Sequence, residues 1–208
     1  MNSVEPVLIE GWLRARSVAR GLPMPVADHG GWRVDTQQPE ELRRYVFATA
    51  EEGLRALAVT ITTPKVFLKL CGSEQEMRAL VGSRWQIKEP RFVMTGEGFD
   101  AVQRPLAAGY SLQLTRYGPT VAARIVTTGG ELAASGYAAE SSGVFIYDLI
   151  RTEAGHRRRG LAAYLMQTLR TARQSSASRQ VLVATAEGRE LYSTLGWHTL
   201  SPYTTAAL

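Results

Sequence analysis

The sequence predicts a mixed α+β protein built on a mostly antiparallel, twisted sheet that is flanked by helices. Three strand-like segments follow one another from Tyr110 to Glu140, and the turn residues between them predict an antiparallel meander. A strand, a helix and a second strand follow over 144–185, which predicts a crossover between two parallel strands. Residues 1–100 alternate helix-like and strand-like patterns, and predict a further α+β region.

Local signals place the elements of the N-terminal region. Three helices are predicted in this region. Helical spacing of apolar residues predicts the first, Pro6–Arg20, and Pro39 followed by an acidic turn predicts the second, with Tyr45 and Val46 on its buried side. A Ser-x-x-Glu capping box predicts the third, Ser73–Val81. Short apolar runs bounded by turn residues predict five strands: Trp32–Val34, Leu57–Ile61, Val66–Leu70, Trp85–Lys88 and Phe92–Thr95. Only four residues separate the second and third of these strands, which predicts a hairpin.

The stretch from Gly96 to Pro105 is the predicted domain boundary, because it combines turn residues with a loss of hydrophobic periodicity. It divides the chain into regions 1–100 and 105–208. Downstream of the meander, the elements are predicted from apolar runs and from Gly196 as a helix stop: strand Val144–Arg151, helix Gly160–Arg173, strand Gln180–Thr185, helix Glu187–Leu195 and strand Trp197–Leu200.

Composition excludes several classes of protein. The net charge is +5, from 24 basic and 19 acidic residues, and an apolar content of 45% is ordinary for a globular protein. The basic residues are scattered except near Arg151 and Arg157, which favours a small anionic ligand over nucleic acid. Most of the basic residues are arginines, and alanine is frequent; this composition is typical of GC-rich bacterial genomes.

The single cysteine, Cys71, excludes an intrachain disulfide and a cysteine-rich zinc site. No His, Cys, Asp or Glu cluster has metal-ligand spacing, so no metal is expected. No uncharged apolar run is long enough to span a bilayer, and the N-terminus lacks the pattern of a signal peptide. A cytoplasmic protein without membrane association is therefore expected.

The run Gly155-His156-Arg157-Arg158-Arg159-Gly160-Leu161-Ala162 joins the Val144–Arg151 strand to the following helix. The first N–H groups of a helix have no partner within it and lie at the positive end of its dipole. A glycine lets an anion approach such a turn closely, and arginines add charged donors. The run predicts a binding site for phosphate or pyrophosphate.

A second motif, Leu191-Tyr192-Ser193-Thr194-Leu195-Gly196-Trp197, follows at a set distance from the first. The two resemble the Q/R-x-x-G-x-G/A pyrophosphate loop and the L-Y-x-x-L-G-F/W segment of the GNAT superfamily of acyl-CoA-dependent N-acetyltransferases. The surrounding strands and helix follow in the expected order, and the resemblance extends from about Tyr110 to Leu200. It implies a GNAT-like sheet and acetyl-CoA as co-substrate.

The resemblance also implies roles for particular residues. The backbone of Arg157 to Ala162 would bind the CoA pyrophosphate, and that of Leu149, Ile150 and Arg151 would pair with the pantetheine arm like an added strand. An N–H near Leu149 or Ile150 would polarise the acyl carbonyl. Tyr192 lies where the family often has the acid that protonates the leaving thiolate, although a packing role is the alternative.

The amine acceptor must lose a proton before it can attack, since an amine of pKa near ~10.4 is almost wholly ammonium at pH 7. Asp148 is the first candidate base, because it is a charge within an apolar strand, and Glu140 is the second. The alternative for Asp148 is a structural hydrogen-bond acceptor at a strand bulge.

Relatives in the GNAT superfamily usually place two helices between their first and second strands, whereas only a short turn follows Arg116 here. The N-terminal region either replaces that acceptor-binding wall or is a degenerate acetyltransferase-like half. The leading hypothesis is an N-acetyltransferase, monomeric or homodimeric, acting on an amine of a small molecule or a protein. A non-catalytic acyl-CoA-sensing module and nucleic-acid binding through the arginines are the alternatives.

Overall fold

The computed structural model describes residues 4–96 and 105–208. Its α-helices are α1 (Pro6–Arg20), α2 (Glu52–Thr60), α3 (Glu74–Leu80), α4 (Leu161–Arg170) and α5 (Ala186–Thr194). The strands of the N-terminal region are β1 (Val26–Asp28), β2 (Gly31–Val34), β3 (Arg43–Phe47), β4 (Val66–Leu70), β5 (Gln86–Ile87) and β6 (Arg91–Thr95). The remaining strands are β7 (Tyr110–Tyr117), β8 (Thr120–Thr127), β9 (Leu132–Ser141), β10 (Val144–Thr152), β11 (Arg179–Thr185) and β12 (His198–Ala207).

These strands form one sheet in the order β1, β2, β3, β4, β12, β6, β11, β10, β9, β8, β7, with β5 paired to β12. Two neighbouring pairs run parallel, β3 with β4 and β10 with β11, and the others run antiparallel. The predicted mixed, mostly antiparallel sheet flanked by helices is therefore confirmed. The predicted meander and the parallel crossover through α4 are both present.

The sheet is continuous between the two predicted regions. β6, from the N-terminal region, lies between β11 and β12. β12 pairs with β6 through residues 198–203 and with β4 through residues 204–207. Of the predicted boundary, residues 97–104 lie outside the described residues, so the division at that position stays a prediction.

Three predictions for the N-terminal region are wrong. The predicted helix after Pro39 is instead strand β3, because its apolar run Tyr45-Val46-Phe47 is short and rich in the aromatic and β-branched residues that favour strands. The predicted strand Leu57–Ile61 is instead the end of helix α2 and the residue after it. Leu54, Leu57 and Ala58 are buried at helical spacing, but Gly53 suggested a break just before them. The predicted hairpin is consequently a crossover, with β3 and β4 parallel on either side of α2.

Helix α1 packs across β9 and β10. Its apolar face is buried, including Leu8, Ile9, Trp12 and Leu13. Gly11 permits the close approach, because a Cβ at this position would lie 2.5 Å from Cγ2 of Val144. The N-terminal helix is thereby held against the strand that leads to the arginine loop.

Gln180, at the start of β11, connects three strands inside the sheet. Its Oε1 accepts a hydrogen bond from the Tyr147 hydroxyl at 2.6 Å, and its Nε2 donates to the carbonyl oxygen of Gly96 at 2.7 Å. Both hydrogen bonds are buried. The amide therefore holds β6, β10 and β11 together at the point where β10 and β11 are still paired.

We expect Gln180→Leu to lower the free energy of unfolding by about 2–4 kcal/mol, because it leaves two buried polar groups without a partner. Denaturant unfolding measures this loss. The double variant Gln180→Leu with Tyr147→Phe should recover part of it, since the unpaired hydroxyl is then gone. Wild-type stability in the single variant would contradict this account of the junction.

Candidate active site

Strands β10 and β11 separate after a short paired segment and leave a cavity between them. They pair in parallel over Val144–Ile146 and Arg179–Val181 only, as far as the described residues show. Beyond this point the cavity, of about 730 Å³, is lined by residues of α1, β4, β6, β9, β10, β11, α5 and β12. A cleft at a place where parallel strands diverge is a usual position for a ligand site in α/β sheets.

A β-bulge in β10 shapes one wall of this cavity. The register with β9 shifts between Asp148 and Arg151, so Leu149 and Ile150 have no register partner on that strand. Leu149 has a φ of 52° and is 54% exposed. Bulges release backbone groups from the ladder. Leu149, Ile150 and Arg151 all line the cavity, where the resemblance predicted a strand-like contact.

The arginine loop follows directly and leads into α4. Gly160 is the N-cap residue of α4, with a φ of 75°, and no side chain caps the helix. Arg158 also has a left-handed φ, of 61°. An added Cβ at Gly160 would meet open space, so the requirement for glycine comes from backbone conformation and not from crowding. Turns of this kind aim successive N–H groups at one point and bind anions.

The residues of the arginine loop do not line the cavity, but one ion pair joins the loop to α5, which does. Arg157, Arg158 and Arg159 are exposed, and Arg157 forms an ion pair with Glu187 at 3.4 Å. Glu187 precedes Gly188, a residue of α5 that lines the cavity. The ion pair is exposed and contributes little stability. The cavity therefore brings together the bulge and α5, and the ion pair connects the arginine loop to α5.

Tyr192 lies on α5, 7% exposed, and lines the cavity. Burial raises the pKa of Tyr192 to about 12. Its hydroxyl has no hydrogen bond to any other residue in the described part of the chain. The phenol is consequently protonated at neutral pH and free to donate to a ligand.

Asp148 is held by two arginines of α1. Nε and Nη2 of Arg20 both bind its carboxylate, the latter at 2.9 Å, and Nε of Arg16 lies 3.8 Å from it. Burial alone would raise the pKa of Asp148, but the hydrogen bond from Arg20 and the charges of both arginines lower it below the usual range. A carboxylate stabilised in this way is a poor proton acceptor at neutral pH.

We expect Asp148→Asn to lower the free energy of unfolding at pH 7 by about 3 kcal/mol, because two largely buried arginines lose their carboxylate. The folded-state pKa of Asp148 is depressed, so its stabilisation is present above the pKa of a free carboxyl group and is lost as the pH falls through the lower, folded-state value. Denaturant unfolding across acid pH should therefore show a shallower acid dependence in the variant. The control Asp35→Asn, whose carboxylate is 29% exposed, should cost less than about 1 kcal/mol. Equal losses in the two variants would contradict the assignment.

Glu140 lies away from the cavity. Its carboxylate accepts hydrogen bonds from the backbone N–H groups of Gln174, at 2.6 Å, and Ser175, at 3.1 Å, and from the hydroxyl of Ser178. Burial opposes ionisation, but these hydrogen bonds outweigh it and lower the pKa of Glu140. Glu140 is not among the described residues that line the cavity. Its contacts hold the loop between α4 and β11.

The sequence analysis did not single out several polar cavity residues, and four of these come from α1, β4 and β12. They are Arg16, Arg20, Lys69 and Tyr203. The signal for the first two was present, since Trp12, Arg16 and Arg20 recur every fourth residue and so share one face of α1. Lys69 and Tyr203 come from strands far apart in sequence, and only the sheet order brings them to the same place.

Metal-binding clusters and membrane-spanning helices are both absent from the described ranges 4–96 and 105–208. These ranges contain no group of three or more His, Cys, Asp or Glu residues placed to hold a metal ion. No helix there is long and apolar enough to cross a membrane.

The mostly antiparallel sheet with flanking helices is similar to that of solved structures from the GNAT acetyltransferase family. A GCN5-related N-acetyltransferase from Kribbella flavida matches with a TM-score of 0.64 over 97% of this chain and 95% of its own, at 16% identity. A GNAT-family protein from Novosphingobium aromaticivorans matches with a TM-score of 0.59 over 98% of each chain, at 16% identity. A tandem GNAT protein of the clavulanic acid biosynthesis pathway matches with a TM-score of 0.53 over 100% of this chain and 96% of its own, at 10% identity.

At these identities the similarity shows the fold, and the predicted GNAT fold is confirmed. No protein-family model matches the chain, and no curated protein sequence is similar to it.

Proposed function

We propose that this protein is an N-acetyltransferase that moves an acetyl group from acetyl-CoA to a primary amine by direct transfer. The observation that carries the proposal is the cavity between β10 and β11. A left-handed glycine loop suited to a pyrophosphate is joined by the Arg157–Glu187 ion pair to α5, and α5 carries a free, protonated phenol that lines the cavity. The GNAT fold of the neighbours supports the same activity.

The residues present fit a CoA thioester. Backbone N–H groups from Arg157 to Ala162 would bind the pyrophosphate, since α4 begins there without a side-chain cap. The backbone of Leu149 to Arg151, released from β9 by the bulge, would pair with the pantetheine arm. When bound, acetyl-CoA supplies an acetyl thioester whose C–S bond breaks as the amine forms a new C–N bond.

The chain's own groups would then assist charge movement at two atoms. An N–H of the bulge, near Leu149 or Ile150, would donate to the carbonyl oxygen as negative charge develops on it. The Tyr192 hydroxyl would give its proton to the departing sulfur, because a phenol remains protonated at pH 7 and a thiolate accepts readily. We assign Asp148 a positioning role, since its ion pairs fix α1 against β10. The amine proton would leave through water in the open cavity.

The N-terminal region fits a degenerate second half. The parallel unit β3, α2 and β4 repeats the arrangement of β10, α4 and β11. At the start of α2, however, stand Glu51 and Glu52, where α4 has arginines and a left-handed glycine. Carboxylates at a helix N-terminus repel a phosphate, so we assign acetyl-CoA binding to the C-terminal region alone. α1 of the N-terminal region then forms the acceptor wall.

We expect acetyl-CoA and a panel of primary amines to yield equal amounts of free CoA thiol and acetylated amine, measured by thiol titration and mass spectrometry. Thermal stabilisation by acetyl-CoA is measured in parallel. Stabilisation without thiol release across the whole panel would contradict transferase activity and favour a non-catalytic acyl-CoA-binding module. Absence of both signals would contradict the assignment of the cavity.

A further inference from the structure

The wall of the cavity formed by α1, β4 and β12 carries more positive than negative charge. Asp148 forms ion pairs with Arg16 and Arg20. Glu41 forms ion pairs with Arg44 and Lys69, and its Oε2 lies 3.2 Å from Nζ of Lys69. Of these groups, one carboxylate, Asp148, and three cations, Arg16, Arg20 and Lys69, line the cavity. The side chains of Arg16 and Lys69 are only 15% and 13% exposed, so solvent screens their charges weakly.

Several donors in this wall are not used by the protein. The Arg16 guanidinium makes no hydrogen bond to any described residue; it lies 5.5 Å from the ring of Trp12 and 3.8 Å from the carboxylate of Asp148. The Tyr203 hydroxyl is fully buried and has no hydrogen-bond partner among the described residues. Buried polar groups normally have partners, so a free donor beside a cavity indicates a ligand group. Arg91, exposed on β6, adds a further cation at the same cavity.

The pKa of Lys69 also reflects the excess of positive charge in this wall. Burial, together with the charges of Arg16 and Arg91, lowers the pKa of Lys69 to about 8 against the opposing effect of Glu41. The burial of Tyr203 likewise raises the pKa of its phenol well above the usual value. The hydroxyl is therefore a donor, and an anion is the complement of this wall.

We propose that the acceptor is an amine that carries an anionic group, and that Arg16, Lys69 and Tyr203 bind this group while the amine faces the bulge of β10. This inference rests on the proposed function, because it treats the cavity as the acceptor site. Sheet order supports the orientation: Lys69 on β4 and Tyr203 on β12 lie to one side of β11, whereas Leu149 and Arg151 on β10 lie to the other. Such an acceptor spans the cavity from its cationic wall to the bulge.

The test compares matched acceptors by calorimetry and by acetylation kinetics. The probes are ω-aminocarboxylates of two to six carbons, the corresponding ω-amino amides, and aminoalkyl phosphates paired with amino alcohols. We expect the anionic member of at least one pair to bind about tenfold or more tightly than its neutral partner. Carboxylate and phosphate series distinguish the two sources of negative charge.

Variants connect the preference to this wall. Arg16→Met should weaken binding of the anionic member about tenfold or more and that of the neutral member less than about twofold. Tyr203→Phe should weaken the anionic member several-fold without loss of thermal stability, because the hydroxyl that it removes has no partner to lose. A structural role for Tyr203 would instead lower the melting temperature. The control Arg14→Met, on the same helix and paired with Glu10, should leave both affinities unchanged.

The inference is overturned if anionic and neutral partners bind equally, if no anionic probe binds, or if Arg16→Met weakens both members alike. Its failure is separable from that of the proposed function. Acetylation of neutral amines without charge preference would retain the transferase and reject the anionic acceptor. Selective binding of anionic amines with no thiol release would support the anion site and reject the transferase.

Discussion

Gly160→Val should abolish the thermal stabilisation that acetyl-CoA gives the wild-type protein. At a free concentration 100-fold above its dissociation constant, a ligand stabilises the folded state by about 2.7 kcal/mol. For a protein of this size that corresponds to a rise in Tm of roughly 5–10 °C. A β-branched residue cannot adopt the left-handed φ of Gly160 without strain, so the N–H groups at the start of α4 would turn away from the pyrophosphate.

Gly155→Val is the matched control for this experiment. Gly155 lies in the same loop, but its φ is not positive and open space surrounds it. The Gly155→Val variant should keep the full thermal stabilisation by acetyl-CoA. The Tm of each variant without ligand separates loss of binding from loss of folding. Full stabilisation of a folded Gly160→Val protein would show that the loop does not bind the pyrophosphate.

Tyr192→Phe should lower kcat about 100-fold or more while changing the dissociation constant of acetyl-CoA less than twofold. The expected loss is that of a positioned general acid. Because the hydroxyl has no partner in the described chain, its removal should cost little stability. Burial holds the pKa of Tyr192 at about 12, so ionisation of this group should not reduce kcat between pH 7 and 10.

Tyr117→Phe is the control, since Tyr117 is 63% exposed at the end of β7, and it should retain wild-type kcat. Stopped-flow or steady-state measurement of thiol release with a saturating amine gives the comparison. An unchanged kcat in Tyr192→Phe would remove this residue from the chemistry and leave it a packing role against Trp197, whose ring lies 6.3 Å away between centroids.

The sequence was informative where local chemistry decides structure. The capping box at Ser73 is present, with both reciprocal hydrogen bonds, and α1 ends at Gly21 in a left-handed conformation. The arginine loop lies near the helix of the Tyr192 motif, as the Arg157–Glu187 ion pair shows, because the β10–α4–β11 crossover has a fixed handedness. Such features depend on neighbours within a few residues or within one supersecondary unit.

The sequence did not predict the elements and ion pairs that depend on tertiary contacts. The run Tyr45-Val46-Phe47 is compatible with a helix or a strand, and its pairing with β4 decides for the strand. Leu54 and Leu57 share the buried face of a helix, but that helix includes Gly53, which by itself indicates a break. The ion pairs of Asp148 come from α1, more than a hundred residues away along the chain. No local pattern could show that this carboxylate is already committed to Arg20.

The crystal structure of the protein with acetyl-CoA bound tests the central claim most directly. We expect the pyrophosphate within hydrogen-bonding distance of backbone N–H groups from Arg157 to Ala162, and the sulfur next to the hydroxyl of Tyr192. A pyrophosphate bound at another surface, with the cavity between β10 and β11 closed to the thioester, would contradict it.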